Sequence, residues 1–142
     1  MMNNKAKALA DYLKVSEVYV DKSDHNYYGT TVSPNSKSHD GYMVYNNQEA
    51  TFAAMDTIRD MPWILPIGFL ADYTGLPDSI FVTLEALEEK EAILALAETK
   101  GSFESFALTA IDTVGRGYLL SPMIDEGEIK LGGYYYYAYR VV

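Results

Sequence analysis

Apolar residues recur every three or four positions through the middle of this chain, which is the spacing of helices that bury one face. A first helix is predicted from Asn3 or Asn4 to about Lys14. The same spacing predicts further helical segments over residues 46–60, 62–73, 77–100 and 102–114. The pattern of residues 77–100 fits one long helix or two helices broken near Glu89-Lys90 equally well.

Residues typical of helix ends stand at several of these boundaries. Asn46 and Glu49 have the spacing of a capping box, in which each side chain bonds the other's backbone N–H. Ser102 can cap the last helix. Gly75 and Gly115 follow apolar runs and are natural helix stops, because glycine adopts the left-handed backbone of that position without strain.

Two of these segments carry predictions about burial. Residues 62–73 are so apolar that we expect a kinked, buried helix holding the only tryptophan, Trp63. In the helix that follows, four residues fall on one face and are expected to point inward: Ile80, Phe81, Leu84 and Leu87.

Strands are predicted on both sides of the helical middle. Short strands are expected over residues 17–20, 27–32 and 41–45, and a β-hairpin over residues 115–142, which hold six of the thirteen tyrosines. A lone hairpin is marginal in water, so we expect it to pair with the strand at 41–45. The predicted fold class is therefore α+β. Its helical middle packs on a small antiparallel sheet, in a single domain of residues 1–142.

The tyrosine run alternates between the two faces of its predicted strand. Tyr134, Tyr136 and Arg140 share one face, whereas Tyr135, Tyr137 and Tyr139 share the other. One face should pack on helices, and the other is then either covered or a contact surface. Since tyrosine is enriched in binding hot spots, Tyr134, Tyr136 and Arg140 are predicted partner-binding residues.

The formal net charge is −9, and residues 72–128 account for all of it, with twelve acids and three bases. Such a field disfavours direct binding of nucleic acid and permits binding to a basic protein surface. Four carboxylates lie on the polar side of the predicted central helix and are the other predicted partner-binding residues: Glu85, Glu88, Glu89 and Glu91. A merely solvated helix face is the competing interpretation.

No pattern of residues indicates catalysis, a metal or a cofactor. The chain has no cysteine, no Gly-rich phosphate loop, no Ser-centred nucleophile elbow and no HExxH motif. His25 and His39 lie in polar loops, and we expect them to be solvated. Arg116 and Arg140 can pair with the acidic turn 125–128 or bind an anion, and we expect a surface ion pair. We predict no catalytic residue, no metal and no cofactor.

The start of the chain lacks the apolar core of a signal peptide, and its longest apolar stretch is too short to span a bilayer. The expected location is therefore the cytoplasm.

Two stretches resemble small acidic proteins encoded by tailed bacteriophages and prophages. One is residues 41–73, with its Asp-Thr-Ile-Arg-Asp-Met-Pro-Trp segment. The other is residues 107–142, in which Gly-Arg-Gly-Tyr-Leu-Leu leads through an acidic turn to a Tyr-rich strand ending Tyr-Arg-Val. A histidine often follows the Arg-Gly pair in those proteins, whereas this chain has Tyr118.

The resemblance and the charge together predict a non-enzymatic accessory protein that acts in the host cytoplasm. Its expected partner is a host protein with a basic surface, such as a nucleic-acid-binding defence protein. Two alternatives stay open: a self-associating structural phage protein, and a small enzyme that uses carboxylates.

Overall fold

The computed structural model describes residues 4–14, 19–20, 30–33, 41–121, 127–131 and 136–141. In these residues the helices are α1 (Asn4–Leu13), α2 (Asn47–Asp60), α3 (Ile67–Thr74), α4 (Asp78–Ala86), α5 (Lys90–Glu98), α6 (Phe103–Val114) and α7 (Arg116–Leu120), with a 3₁₀ turn at Pro62–Ile64. The strands are β1 (Tyr19–Val20), β2 (Thr30–Ser33), β3 (Gly41–Asn46), β4 (Glu128–Leu131) and β5 (Tyr136–Val141).

All five strands form one antiparallel sheet in the order β1-β2-β3-β5-β4. The predicted α+β fold class is confirmed, and so is the pairing of the C-terminal hairpin with β3, in which Gly41 lies opposite Val141. The hairpin consists of β4 and β5. The two predicted strands at residues 17–20 and 27–32 begin outside the described residues, at positions 17–18 and 27–29.

The chain folds as two compact units. Unit 1 is Met1–Ala53 with Arg116–Val142 and contains the sheet, whereas unit 2 is Ala54–Gly115 and is helical. The single domain expected over residues 1–142 stays a prediction, which unfolding followed separately in each unit can test.

In unit 1 both faces of the sheet are covered. Ala6, Leu9 and Ala10 of α1 pack with Val44 and Ala138 on one face. On the other face, side chains of β3, α2 and β5 form a second core of Tyr45, Ala50, Ala53 and Tyr139. This is why tyrosine occurs on both sides of β5: each side meets apolar partners from the same chain.

The predicted helix ends at Asn46, Ser102, Gly75 and Gly115 are confirmed. Asn46 and Glu49 exchange two backbone-to-side-chain hydrogen bonds of 2.8 Å, which is the predicted capping box. The Ser102 hydroxyl accepts the N–H of Ser105 at 3.1 Å. Gly75 and Gly115 follow the last residues of α3 and α6 with positive φ of 75° and 85°.

The kinked, buried helix predicted for residues 62–73 is wrong. A 3₁₀ turn comes first, and α3 begins only at Ile67. Leu65, which precedes Pro66, is extended at ψ 141°, because the proline ring disfavours helical backbone in the residue before it. Trp63 lies in the 3₁₀ turn with 37% of its surface exposed, so it is not a core residue.

Two other predictions also need correction. The predicted hairpin begins at residue 115, but Arg116–Leu120 is the helix α7, and the first strand of the hairpin, β4, begins at Glu128. Residues 77–100 form two helices, and the break leaves Leu87 64% exposed instead of inward. Phe81 of the same predicted apolar face is fully buried.

Candidate functional site

The predicted acidic residues surround the break between α4 and α5. Glu85 is the penultimate residue of α4, Glu88 and Glu89 lie in the connection, and Glu91 is in the first turn of α5. We call residues 85–91 the acidic corner. The sequence placed these carboxylates along one helix face. The break instead distributes them over the end of α4, the connection and the first turn of α5, and the connection also holds Leu87.

Glu88 makes this turn through a left-handed backbone. Its φ is +53°, and its N–H donates to the Glu85 carbonyl at 3.0 Å, while the N–H of Glu89 donates to the Leu84 carbonyl at 2.9 Å. This pair of bonds is the Schellman motif, in which the left-handed residue is usually glycine. A glutamate there carries a backbone cost of roughly 1–2 kcal/mol.

The corner combines exposed charge with an exposed apolar side chain. Glu88, Glu89 and Glu91 are exposed, whereas Glu85 is half-buried. Burial raises the pKa of the Glu85 carboxyl above its ordinary value. Leu87 has the largest exposed fraction among the exposed large hydrophobic residues of the described chain. A leucine set among carboxylates has the composition of a docking contact with a charged rim and an apolar centre.

Charge is distributed unequally between the two units. Residues 54–115 hold eleven acids and three bases, a formal charge of −8 out of the total of −9. Nine of the eleven acids are exposed. One of the bases, Arg59, is occupied by Asp56 at 3.1 Å and by the ring of Phe103, whose centroid lies 4.4 Å from the guanidinium carbon. Unit 2 therefore presents a strongly negative surface.

The second predicted contact set lies on β5, in unit 1. Tyr136 is half-buried and packs against the core that α1 covers. Arg140 is half-buried, and its backbone carbonyl accepts the Ser121 hydroxyl at 3.0 Å. Tyr134 lies outside the described residues, as do His25 and His39. The described part of the tyrosine strand thus contributes to the core of unit 1.

Arg116 is the centre of a polar cluster in the described part of unit 1. Its Nε donates to Glu128 Oε1 at 2.7 Å, and its Nη1 donates to the Asn47 carbonyl at 2.9 Å and to Asn47 Oδ1 at 2.8 Å. Its guanidinium carbon lies 4.6 Å from the centroid of the Tyr137 ring. The predicted pairing with the acidic turn is confirmed for Glu128. Arg116 is the more covered partner of this pair, with 12% of its side chain exposed, whereas Glu128 is exposed.

Tyr139 completes this cluster by donating its hydroxyl to Glu128 Oε1. Burial of Tyr139, with the hydrogen bond and the charge of Glu128, raises its pKa far above the ordinary value. For Arg116, burial acts to lower the pKa, but the hydrogen bond to Glu128 and the neighbouring charges outweigh it and raise the pKa. Both groups therefore keep their protons, which suits a structural tie between α2, α7, β4 and β5 and not proton transfer.

The sequence contained a signal for this cluster in the Gly-Arg-Gly segment. A side chain at Gly117 would place its Cβ 2.6 Å from the Glu128 nitrogen and 2.9 Å from the Gly127 Cα. Only glycine lets α7 approach the start of β4 so closely. That approach brings the Arg116 side chain to Glu128.

The described residues contain no group of three or more histidine or acidic side chains placed to hold a metal ion. Over the same residues, no helix combines the length and apolar character needed to cross a membrane. Comparison with known proteins adds no relative: no protein-family model, curated protein or solved structure matches this chain.

Proposed function

We propose that this chain is a non-enzymatic binding protein that docks its acidic corner on a basic surface of a host protein. The observation that carries the proposal is the concentration of charge: unit 2 has a formal charge of −8, and its exposed acids include three around the exposed Leu87. Complementary charge would steer encounter with a basic partner, and the leucine would hold the complex once formed.

The backbone of Glu88 supports a role beyond stability. Glycine would form the same turn at lower cost, because the left-handed conformation is strained for a residue with a Cβ atom. A charged residue at this strained position fits a contact that needs its carboxylate. Strained positions concentrate at binding sites, where the interaction compensates for the cost.

The partner class we propose is a nucleic-acid-binding defence or regulatory protein of a bacterial host, inhibited by a phage-type accessory protein. A cleft that binds the phosphates of nucleic acid is lined by Lys and Arg. The carboxylates of the acidic corner can occupy such a cleft in place of the phosphates. The phage origin rests on the resemblance of residues 41–73 and 107–142. The packing of Tyr136 in the core supports the acidic corner as the main contact, with the tyrosine strand secondary.

The two alternatives have less support. An enzyme that used the tyrosines and carboxylates of unit 1 would need a group that exchanges protons, whereas Tyr139 and Arg116 are held protonated beside Glu128. Self-association through two acidic corners would bring like charges together, which costs free energy. Measurement of the mass in solution would separate self-association from host binding.

Charge reversal in the acidic corner tests the proposal. The triple variant Glu85→Lys, Glu88→Lys, Glu89→Lys should slow association with a purified basic nucleic-acid-binding host protein and remove its dependence on salt. The matched control reverses three exposed acids elsewhere in unit 2: Glu98, Glu104 and Asp112. The control should keep most of the association rate.

Two outcomes would contradict the proposal. One is equal loss of binding in both triple variants, which would show that the acidic corner acts only through its contribution to the net charge. The other is direct binding of duplex DNA by the unmodified chain at physiological salt, since that would remove the electrostatic argument.

A further inference from the structure

Unit 2 contains an open groove between α3 and α6, apart from the acidic corner. Its volume is about 530 Å³, within the range of ligand-binding pockets. The residues that line it are Pro66, Phe69, Asp72, Tyr73, Thr109, Thr113 and Val114.

Stacked aromatic rings form the apolar wall of the groove. Phe69 and Tyr73 lie one helical turn apart on α3, with ring centroids 5.9 Å apart and planes 24° apart. Both pack on the fully buried Phe106, at centroid distances of 6.1 and 5.2 Å. The rings are therefore held in place before any ligand arrives.

The polar atoms of the groove supply hydrogen-bond acceptors. The hydroxyl of Thr109 donates its hydrogen to the Ser105 carbonyl at 2.9 Å, and that of Thr113 donates to the Thr109 carbonyl at 2.8 Å. Each hydroxyl has one hydrogen, which is already donated, so both oxygens can serve a ligand only as acceptors. Asp72 adds an exposed carboxylate, and none of the seven lining residues is basic. Such a groove suits a cationic group with several N–H donors and an apolar stem.

The aromatic cluster already holds one guanidinium within unit 2. Phe106 packs against Phe103 at 6.3 Å, and the Arg59 guanidinium carbon lies 4.4 Å from the Phe103 centroid. Phe69 and Tyr73 lie on the groove side of the same cluster. Their ring faces attract a cation for the same electrostatic reason.

We propose that the α3–α6 groove binds an arginine side chain, with an apolar neighbour, from a basic segment of the protein partner. The guanidinium lies against Phe69 or Tyr73 and donates to Asp72 and to the threonine oxygens. Arginine fits better than lysine because its planar group stacks on rings and donates along several directions. The identity of the partner segment rests on the proposed function, whereas the chemistry of the groove does not.

The test uses the full chain and two short peptides, acetyl-Leu-Arg-Leu-amide and the same peptide with citrulline in place of arginine. Citrulline keeps the shape of the side chain and removes its charge. Backbone amide shifts in NMR should move saturably at residues 67–73 and 109–114 with the arginine peptide. The citrulline peptide should bind at least about fivefold more weakly, as expected for the loss of a cation–π contact and a charged hydrogen bond.

A matched pair of variants assigns the carboxylate. Asp72→Asn should lower the affinity for the arginine peptide by about fivefold. Asp112→Asn removes the same charge from an exposed position of α6 that does not line the groove, and it should leave the affinity unchanged. Equal binding of both peptides, an unchanged affinity in Asp72→Asn, or shifts confined to residues outside the groove would each overturn the assignment.

These outcomes are distinct from those of the acidic corner. If reversal of Glu85, Glu88 and Glu89 abolishes partner binding while Asp72→Asn leaves both peptide and partner binding intact, the groove assignment is wrong and the proposed function stands. If the peptide binds the groove as expected while reversal of the corner leaves partner binding unchanged, the groove assignment stands and the proposed function is wrong.

Discussion

Replacement of Arg116 by Met should lower the free energy of unfolding of unit 1 by about 2–3 kcal/mol. Removal of one partner costs about 3–5 kcal/mol in a buried ion pair, because it leaves an uncompensated buried charge, whereas an exposed pair contributes only about 0–1 kcal/mol. Arg116 has 12% of its side chain exposed, but Glu128 is exposed and keeps the hydroxyl of Tyr139 as a donor. The pair lies between these limits, so its cost falls below the range for a buried pair.

Unit 2 provides a matched control in Arg59. Arg59 also pairs with a carboxylate, Asp56 at 3.1 Å, and also lies over an aromatic ring, that of Phe103. It differs in burial, since 56% of its side chain is exposed. Arg59→Met should cost only about 0.5–1 kcal/mol, because water screens an exposed pair and solvates the partner left behind.

The distribution of aromatic residues lets each unit be followed separately. The only tryptophan, Trp63, lies in unit 2, whereas twelve of the thirteen tyrosines lie in unit 1. Urea unfolding should therefore be recorded by tryptophan fluorescence and by near-ultraviolet circular dichroism of tyrosine. Coincident transitions would support a single cooperative domain, and separate transitions would identify two.

The double variant Arg116→Met, Glu128→Gln supplies the decisive comparison. Its loss in the free energy of unfolding should be smaller than the sum of the losses in the two single variants, because it removes the unpaired charge that each single variant leaves. A loss for Arg116→Met no larger than that for Arg59→Met would refute the reasoning, because Arg116 is the more buried arginine and also donates to Asn47.

Three further predictions concern backbone strain, close packing and titration. Glu88→Gly should raise the stability of unit 2 by about 0.5–1 kcal/mol, measured by tryptophan fluorescence in urea, because it relieves a left-handed glutamate; a loss would contradict the strain argument. Gly117→Ala should destabilise unit 1 by about 1–3 kcal/mol, because the added Cβ would meet the backbone of Glu128. Gly68→Ala is the control: its added Cβ has no neighbour within 4 Å, so it should be neutral or stabilising in a thermal melt. Because burial raises the pKa of Glu85, the folded chain holds that proton more tightly than the unfolded chain, and this contribution to stability is lost as pH rises through the folded pKa. Between about pH 4 and pH 7 the urea midpoint of the unmodified chain should therefore fall relative to that of Glu85→Gln. A constant difference between the two midpoints would show that Glu85 is not desolvated.

Local chemistry determined the features that the sequence predicted well. The capping box of Asn46 and Glu49, the helix stops at Gly75 and Gly115 and the cap at Ser102 each depend on residues within a few positions of one another. The α+β class follows from the two spacings of apolar residues and from the marginal stability of a lone hairpin, which required β3 as a partner for β5.

Distant packing decided what the sequence pattern could not. An apolar run does not reveal which of its side chains will meet a neighbour, so Trp63 and Leu87 were assigned to the core although both are exposed. The segment 116–120 has strand-like composition, yet it is helical, and its Gly117 packs on the backbone of residues 127–128.

Charge alone identified residues 72–128 as the acidic part of the chain. The positions of the carboxylates in the acidic corner, in contrast, depended on a single backbone angle. The left-handed φ of Glu88 ends α4 and turns a predicted helix face into a corner that also holds Leu87. The α3–α6 groove had no sequence signal, since Phe69 and Tyr73 on α3 meet Thr109 and Thr113 of α6 only through folding. Sequence determines the chemistry that each residue brings, whereas tertiary packing decides which residues face one another across a groove.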